Sequence, residues 1–368
     1  MTIRILIIDD QAENVETLKD ELERQLDCVC KIIGFADART TILSYNPHVV
    51  VLDVMEGLGA EPRMTGLTTS KFIWDEKFCP LVFYTAAADQ VGEEYHRNHP
   101  FVCIISKGIN SEQQVLIRIQ EFAPQITALE EVSDEIRWTM NGALRAIAPG
   151  LFENLDATTR QSLLLRSARR RVAAMMDDSI STGNPDLMPW ELYLCPPVVD
   201  KHLLTGDIIR KRNGEKTNPE NYSVVLTPSC DLVATETREA KVDQVLVSLC
   251  FGPERLRQEL NLQGVTNWKP SHTEKVLSVL RQGYSQSCLP LAQLPGEFPP
   301  LVADFRKLSL IQLADIGQGN EEYVRVASVD NPLRELVAWA YMSTAARVAL
   351  PDRDFAGWSK EITPPRPA

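Results

Sequence analysis

Five side chains with chemistry to offer stand at the ends of short apolar runs. Ile3-Arg4-Ile5-Leu6-Ile7-Ile8 runs into Asp9-Asp10, and His48-Val49-Val50-Val51-Leu52 into Asp53. Leu81-Val82-Phe83-Tyr84 runs into Thr85, and Phe101-Val102-Cys103-Ile104-Ile105 into Ser106-Lys107. Continuous apolar runs rich in β-branched residues read as buried parallel strands. Side chains leaving their C-terminal ends project into the crevice where open α/β sheets bind ligands. A single Asp in such a place reads equally well as a cap on the following helix. Three further strand ends with matching groups favour a site. Close carboxylates repel unless a cation holds them, so Asp9, Asp10 and Asp53 imply a divalent metal with oxygen ligands. Mg²⁺ suits this set, because it needs few protein ligands, keeps waters and bridges to phosphate. Asp53 is then the nucleophile for a phosphoryl group, with the Lys107 ammonium and the metal neutralising charge on the transferring oxygens.

The elements that must position these groups alternate along the chain. A helix over 12–26 carries an apolar stripe of Val15, Leu18, Leu22 and Leu26. A second strand over 28–35 and a short helix over 36–44, stopped by Asn46-Pro47, lead into the strand that ends at Asp53. A Gly/Pro-containing loop over 56–66 precedes a helix to about residue 77. Residues 89–99 are polar and short, a weakly specified helix or loop, and 111–122 form an amphipathic helix that Pro124 ends. Five strands alternating with five helices predict a doubly wound parallel sheet with right-handed crossovers.

The Asp pair after strand one, Asp53 after strand three, Thr85-Ala86 after strand four and Lys107 after strand five resemble the receiver domain of bacterial two-component response regulators. The resemblance covers residues 1–123. It implies a flavodoxin-like fold and an aspartyl phosphate at Asp53, formed from a sensor histidine kinase or a phosphotransfer protein. It also implies direct metal ligation by Asp10 and Asp53, with Asp9 acting partly through water and the Met55 carbonyl completing the protein ligands. Thr85 would swing its hydroxyl onto the phosphoryl group. Three departures stand out. Ile104 occupies the position of the usual aromatic partner of the switching Thr, and Gly108 follows the lysine where a proline is usual. The segment from Asp53 to Gly66 is also several residues longer, placing Gly57 and Gly59 beside the site. The Thr–aromatic coupling cannot work in its usual form.

Residues 124–184 read as a helical connector. Leu129, Val132, Ile136, Met140, Leu144 and Ile147 are spaced by threes and fours over 125–147, the seam of a dimerising coiled coil or of a helix packed on its own chain. Pro149-Gly150 breaks the pattern. A further helix over 158–180 carries Arg166, Arg169, Arg170 and Arg171. These read as a solvated or salt-bridged face, with DNA contact as the competing reading. Ser181-Thr182-Gly183-Asn184-Pro185 marks a boundary.

Residues 185–368 shift to prolines and short strands, predicting an α+β effector domain. Strands are expected over 205–209 and 223–228 as a hairpin, and over 242–250, 308–314 and 322–327. Helices are expected over 253–262, 272–282 and 332–348. Thr227-Pro228-Ser229-Cys230-Asp231-Leu232 offers a possible effector site. Cys230 could be a nucleophile or metal ligand with Asp231, His202 or His272 as helper. Cys195, Cys250 and Cys288 add thiols, but without the spacing of a zinc site. The competing reading is a Cys buried at a strand end with Asp231 capping a turn. Pro364-Pro365-Arg366-Pro367-Ala368 reads as a disordered tail.

Composition narrows the function classes. The 368 residues carry 38 Lys and Arg against 50 Asp and Glu, a net charge of −12. Residues 1–123 hold 11 basic and 19 acidic side chains, net −8, which leaves 27 and 31, net −4, for the remainder. So acidic a chain is a poor general nucleic-acid binder. Eight cysteines lack the density of a secreted disulfide scaffold. With no leader pattern and no run of membrane-spanning length, a cytoplasmic protein is expected. These features predict a phosphorylated response regulator that changes the docking or dimerisation of its C-terminal domain. The competing outputs are a receiver-gated nuclease or hydrolase and a pseudo-receiver used only for docking.

Overall fold

Four-residue and longer runs such as Val49-Val50-Val51-Leu52 have no polar face, so the strand they form must be covered on both sides. That is the arrangement found. The computed structural model describes residues 2–57, 63–146, 156–179, 188–197, 202–234, 237–317, 319, 321–331, 333–347 and 354–362. It falls into two compact units, Met1–Gly183 and Asn184–Ala368.

In the first unit, β1 (Ile3–Ile8), β2 (Cys28–Ile33), β3 (Val49–Leu52), β4 (Leu81–Thr85) and β5 (Val102–Ser106) form a parallel sheet in the order β2-β1-β3-β4-β5. Side chains alternate strictly. Ile5, Ile7, Val49 and Val51 enter one core, while Leu6, Ile8, Val50 and Leu52 enter the other. The first core is closed by α1 (Glu16–Gln25) and α4 (Ser111–Arg145), the second by α2 (Ala38–Tyr45) and α3 (Thr65–Glu76). The doubly wound, flavodoxin-like architecture follows directly from this two-sided burial.

Two expectations are corrected. Between β4 and β5 there is no α-helix, only 3-10 turns at Ala88–Gln90 and Glu93–Tyr95. The segment has no apolar stripe to bury and is instead pinned by rings. His96 stacks on Trp74 at 4.5 Å and His99 meets the same indole edge-on at 4.6 Å. Secondly, Pro124 does not end the last helix of the sheet. The helix runs through it to Arg145, roughly 50 Å in all. A proline in a helix interior costs about 3 kcal/mol. Phe122 and Ile126 on either side of it are buried, each contributing about 1.5–3 kcal/mol, so packing wins.

Beyond Pro124 the seam is used within this unit in part. Leu129, Val132 and Ile136 line a cavity of about 270 Å³ against Pro47, Phe78 and Cys79. Met140 and Leu144 remain exposed, and α5 (Ala157–Ser179) packs on α4, with Met175 close to Gly142. Arg166, Arg169, Arg170 and Arg171 are exposed on α5. Ile147, Pro149-Gly150, the 181–185 boundary, Gly59 and the 364–368 tail lie outside the described residues.

The second unit is built on a seven-stranded antiparallel sheet. Its strands are β6 (Tyr193–Leu194), β7 (Asp207–Lys211), β8 (Tyr222–Val225), β9 (Gln244–Phe251), β10 (Cys288–Leu291), β11 (Leu301–Gln312) and β12 (Tyr323–Val329). They are ordered β10-β11-β9-β8-β7-β12-β6. The short α6 (Ser229–Leu232) follows β8, and α7 (Glu254–Glu259) and α8 (Pro270–Gln282) lie between β9 and β10. α9 (Leu333–Ala345) covers one face through Val337 and Ala340. The expected strand over 308–314 is the second half of the twelve-residue β11, whose first half was obscured by the charged run Asp304-Phe305-Arg306-Lys307.

Candidate functional site

Parallel β1 and β3 are neighbours, and the chain leaves them for opposite flanks of the sheet, so the crevice at their carboxyl ends is the switch point. Asp9 follows β1 and Asp53 follows β3, with the Asp53 N–H donating to Ile8 O at 2.9 Å. Lys107, carried from the end of β5, reaches across to both. Its Nζ donates to Asp9 Oδ2 at 2.7 Å and to Asp53 Oδ2 at 2.5 Å. Both carboxylates are buried. Burial pushes the Asp9 carboxyl up from its ordinary range, against the opposing pull of Lys107 and the Gln11 N–H. For Lys107 burial opposes the charge, but hydrogen bonds and charge from Asp53 and Asp9 together outweigh it and raise its pKa.

The remaining sequence candidates surround this triad. Asp10 turns outward, its Oδ2 accepting the Gly57 N–H at 2.7 Å. Asp53 Oδ1 accepts the Met55 N–H at 3.2 Å. Thr85 is fully buried, and its Oγ1 accepts the Ala87 N–H at 3.1 Å. Among the described residues no three metal-ligating side chains converge closely enough to hold a cation. The donor types fit a hard cation, being carboxylates and a carbonyl. As arranged, however, Asp9 and Asp53 face an ammonium and Asp10 faces a backbone amide.

Several positioning residues escaped the sequence reading. A Cβ at Gly66 would stand 1.9 Å from Asp53 O, so only glycine lets α3 begin against the phosphoacceptor candidate. Glu56 and Arg63 pair backbone to backbone at 2.8 and 3.0 Å, closing the long loop, and Thr65 Oγ1 donates to Glu56 Oε2 at 2.5 Å. Lys107 lies 5.6 Å over the Tyr84 ring, whose hydroxyl shares a 2.7 Å hydrogen bond with Ser111 Oγ at the start of α4. A glycine opening a helix was the signal for Gly66. Tyr84, next to Thr85, carried none.

This unit has a doubly wound, flavodoxin-like fold. Solved structures to which the chain is similar include a CheY-like response regulator receiver domain from Methylobacillus flagellatus, at 21% identity, covering 32% of this chain and 99% of that one with a TM-score of 0.26. Another is the response regulator domain of Thermotoga maritima CheB, at 20% identity over 34% of this chain and 96% of that one, TM-score 0.26. A third is the receiver of a modulated diguanylate cyclase from Desulfovibrio desulfuricans G20, at 23% over 35% and 99%, TM-score 0.27. The fold rests on the sheet order, and these likenesses add nothing about activity. A curated relative, protein-glutamate methylesterase/protein-glutamine glutaminase 2 of Oleidesulfovibrio alaskensis, is 25% identical over 203 residues. The match covers 53% of each, so the chain spans about half the length of that relative. No family model matches the chain.

In the second unit, Cys230 is exposed on α6, and its Sγ donates to Asp231 Oδ1 at 3.5 Å. Asp231 is paired instead with Lys241 Nζ at 2.7 Å. Of the two histidines considered as helpers, His272 Nδ1 accepts the Lys269 N–H at the start of α8, and the His202 backbone carbonyl accepts from Arg325. Cys250 and Cys288 are buried, and Cys195 Sγ contacts Val326 O at 3.6 Å. No helix of the described residues is long and apolar enough to cross a membrane.

Proposed function

We propose that the chain is a two-component response regulator in which Asp53 accepts a phosphoryl group from a histidine kinase or a phosphotransfer protein. The reading is carried by one observation: Lys107 Nζ held 2.5 Å from Asp53 Oδ2 at the switch point of a receiver-type sheet. In this reading residues 1–123 are the receiver, 124–184 the connector and 185–368 the effector.

Asp53 Oδ2 attacks phosphorus, the P–N bond to the donor imidazole breaks, and its electron pair stays on the ring nitrogen. Lys107 then passes from the Asp53 carboxylate to a phosphoryl oxygen, keeping charge compensation in a site largely closed to water. Asp9, Asp10, Asp53 and the Met55 carbonyl would hold Mg²⁺, for which Asp10 must release Gly57. When bound, the ion neutralises charge on the transferring group. Thr85 exchanges the Ala87 N–H for the phosphoryl group. With Ile104 in place of an aromatic, the change leaves the site through Lys107, Tyr84 and Ser111 into α4, and alters docking or dimerisation along the connector.

The test is incubation of the purified chain with acetyl phosphate and Mg²⁺, wild type against Asp53→Asn, read by mobility-shift gel and by light scattering. Modification of the wild type alone, lost on chelation, is the expected result. An unmodified wild type would leave a docking protein that keeps the receiver fold.

A further inference from the structure

A second place in the molecule gathers charge where the fold had no need of it. Strand β11 advances from Ala303 to Leu308, five residues, while its partner β9 moves from Cys250 to Ser248, two. Such bulges re-aim side chains and are enriched beside functional sites. Here the bulge sends Asp304, Arg306 and Lys307 into one open cleft of about 670 Å³. Asp304 is buried, and it accepts from Arg255 Nε at 2.7 Å and from the Arg306 N–H at 3.0 Å. Glu259 accepts from Arg306 at 2.6 Å and from Ser287 Oγ at 2.9 Å. Asn261, on the rim, holds a left-handed backbone at φ 56°, a conformation that Asn tolerates better than most residues.

The two carboxylates are spent on fixing two guanidinium groups. What faces the open space is a set of donors: the outer edge of Arg306, the ammonium of Lys307, and the amides of Gln258, Asn261 and Gln286. Lys307 is exposed and has no ion-pair partner among the described residues. Three cations against two acids leave the cleft net positive in a chain of net charge −12. Guanidinium forks held in place by carboxylates are pre-organised for oxyanions. Several spread donors match the many acceptor oxygens of a phosphate better than the two of a carboxylate.

We infer that this cleft of the C-terminal unit binds a small phosphate-bearing ligand, with Arg306 and Lys307 as its charged contacts. The site is independent of Asp53, so the experiment uses the full chain carrying Asp53→Asn, without Mg²⁺ and with chelator. Calorimetric titrations with inorganic phosphate, pyrophosphate and ADP separate free from nucleotide-borne phosphate. Saturable binding of at least one is expected, weakened about tenfold or more, ~1.4 kcal/mol, by Lys307→Ala and by Arg306→Gln. Tighter binding of ADP identifies a nucleotide, and tighter binding of pyrophosphate a free phosphate. Absence of saturable binding for all three ligands, or unchanged affinity in both variants, overturns the inference. Lys307→Ala removes a group with no ion-pair partner and tests the site even should Arg306→Gln disturb folding.

Discussion

The two edges of the parallel sheet solve opposite electrostatic problems. At the carboxyl edge two buried acids, Asp9 and Asp53, share one cation, Lys107, at 2.7 and 2.5 Å. At the amino edge one acid, Glu130 on α4, is shared by two cations and an imidazole from three other segments. Its Oε1 lies 3.2 Å from His48 Nε2, 3.7 Å from Arg4 and 4.0 Å from Lys77. The first cluster is tight, closed and deficient in positive charge. The second is loose, part-exposed and has positive charge to spare. A site poised to take up a cation and an anion together needs the first arrangement. A clasp that holds a helix to a sheet needs only the second. The difference separates the chemistry from the mounting.

Lys107→Met breaks the comparison most severely. It leaves Asp9 and Asp53 buried against each other without a cation, and removing one partner of a buried pair costs about 3 kcal/mol. Asp9 already has a raised carboxyl pKa, chiefly from burial, and losing Lys107 raises it further. A carboxyl whose folded pKa exceeds its unfolded value contributes stability below the unfolded pKa, and that contribution is lost as pH rises through the folded value. The deficit of the variant should therefore shrink as pH falls from neutral towards the carboxylate range. Urea unfolding of both proteins at pH 7 and pH 5 measures this. Mg²⁺ should stabilise the variant more than the wild type, and equal effects on the two would argue against metal binding by these acids.

Gly66→Ala comes next, at about 1–3 kcal/mol, because a Cβ 1.9 Å from Asp53 O forces α3 away from the site. Thermal unfolding reports the loss, and slower uptake of phosphate from acetyl phosphate reports the displaced Asp53. The position also shows what the sequence could and could not reveal. Asp9, Asp53, Thr85 and Lys107 were legible because each ends an apolar run, and strand ends of a parallel sheet share an edge. Gly66 offered only a glycine at a helix start, since its requirement is a backbone carbonyl thirteen residues earlier in the chain. Pro124 misled because a local rule about helix interiors yields to the burial of Phe122 and Ile126. In the second unit the bulge in β11 hid half a strand, since three charged residues in four interrupt any apolar alternation.

The amino-edge clasp was the least legible feature, because Arg4, His48, Lys77 and Glu130 come from four segments and each alone reads as an ordinary charge or strand flank. Its loss should also be the mildest. Glu130 is part-exposed, so Glu130→Gln is worth about 1 kcal/mol at most. The consequence is better read at His48. That ring is buried, and its Nδ1 accepts the Arg4 N–H at 3.1 Å, which leaves the proton on Nε2. Nε2 faces Glu130 without the alignment of a hydrogen bond, so the carboxylate acts there mainly as a charge. Burial, then Arg4, push the His48 pKa down, and Glu130 opposes them. Removing Glu130 pushes it further down. A base with a depressed folded pKa contributes stability above its unfolded pKa, lost as pH falls through the folded value. Melting temperature should then drop between pH 7.5 and pH 5.5, opposite in sign to the Asp9 contribution at the other edge. NMR titration of the His48 ring should show a lower midpoint in the variant, with faster amide exchange in the turns of α4 just after Pro124. An unshifted midpoint would mean that Glu130 neither tunes His48 nor holds the helix.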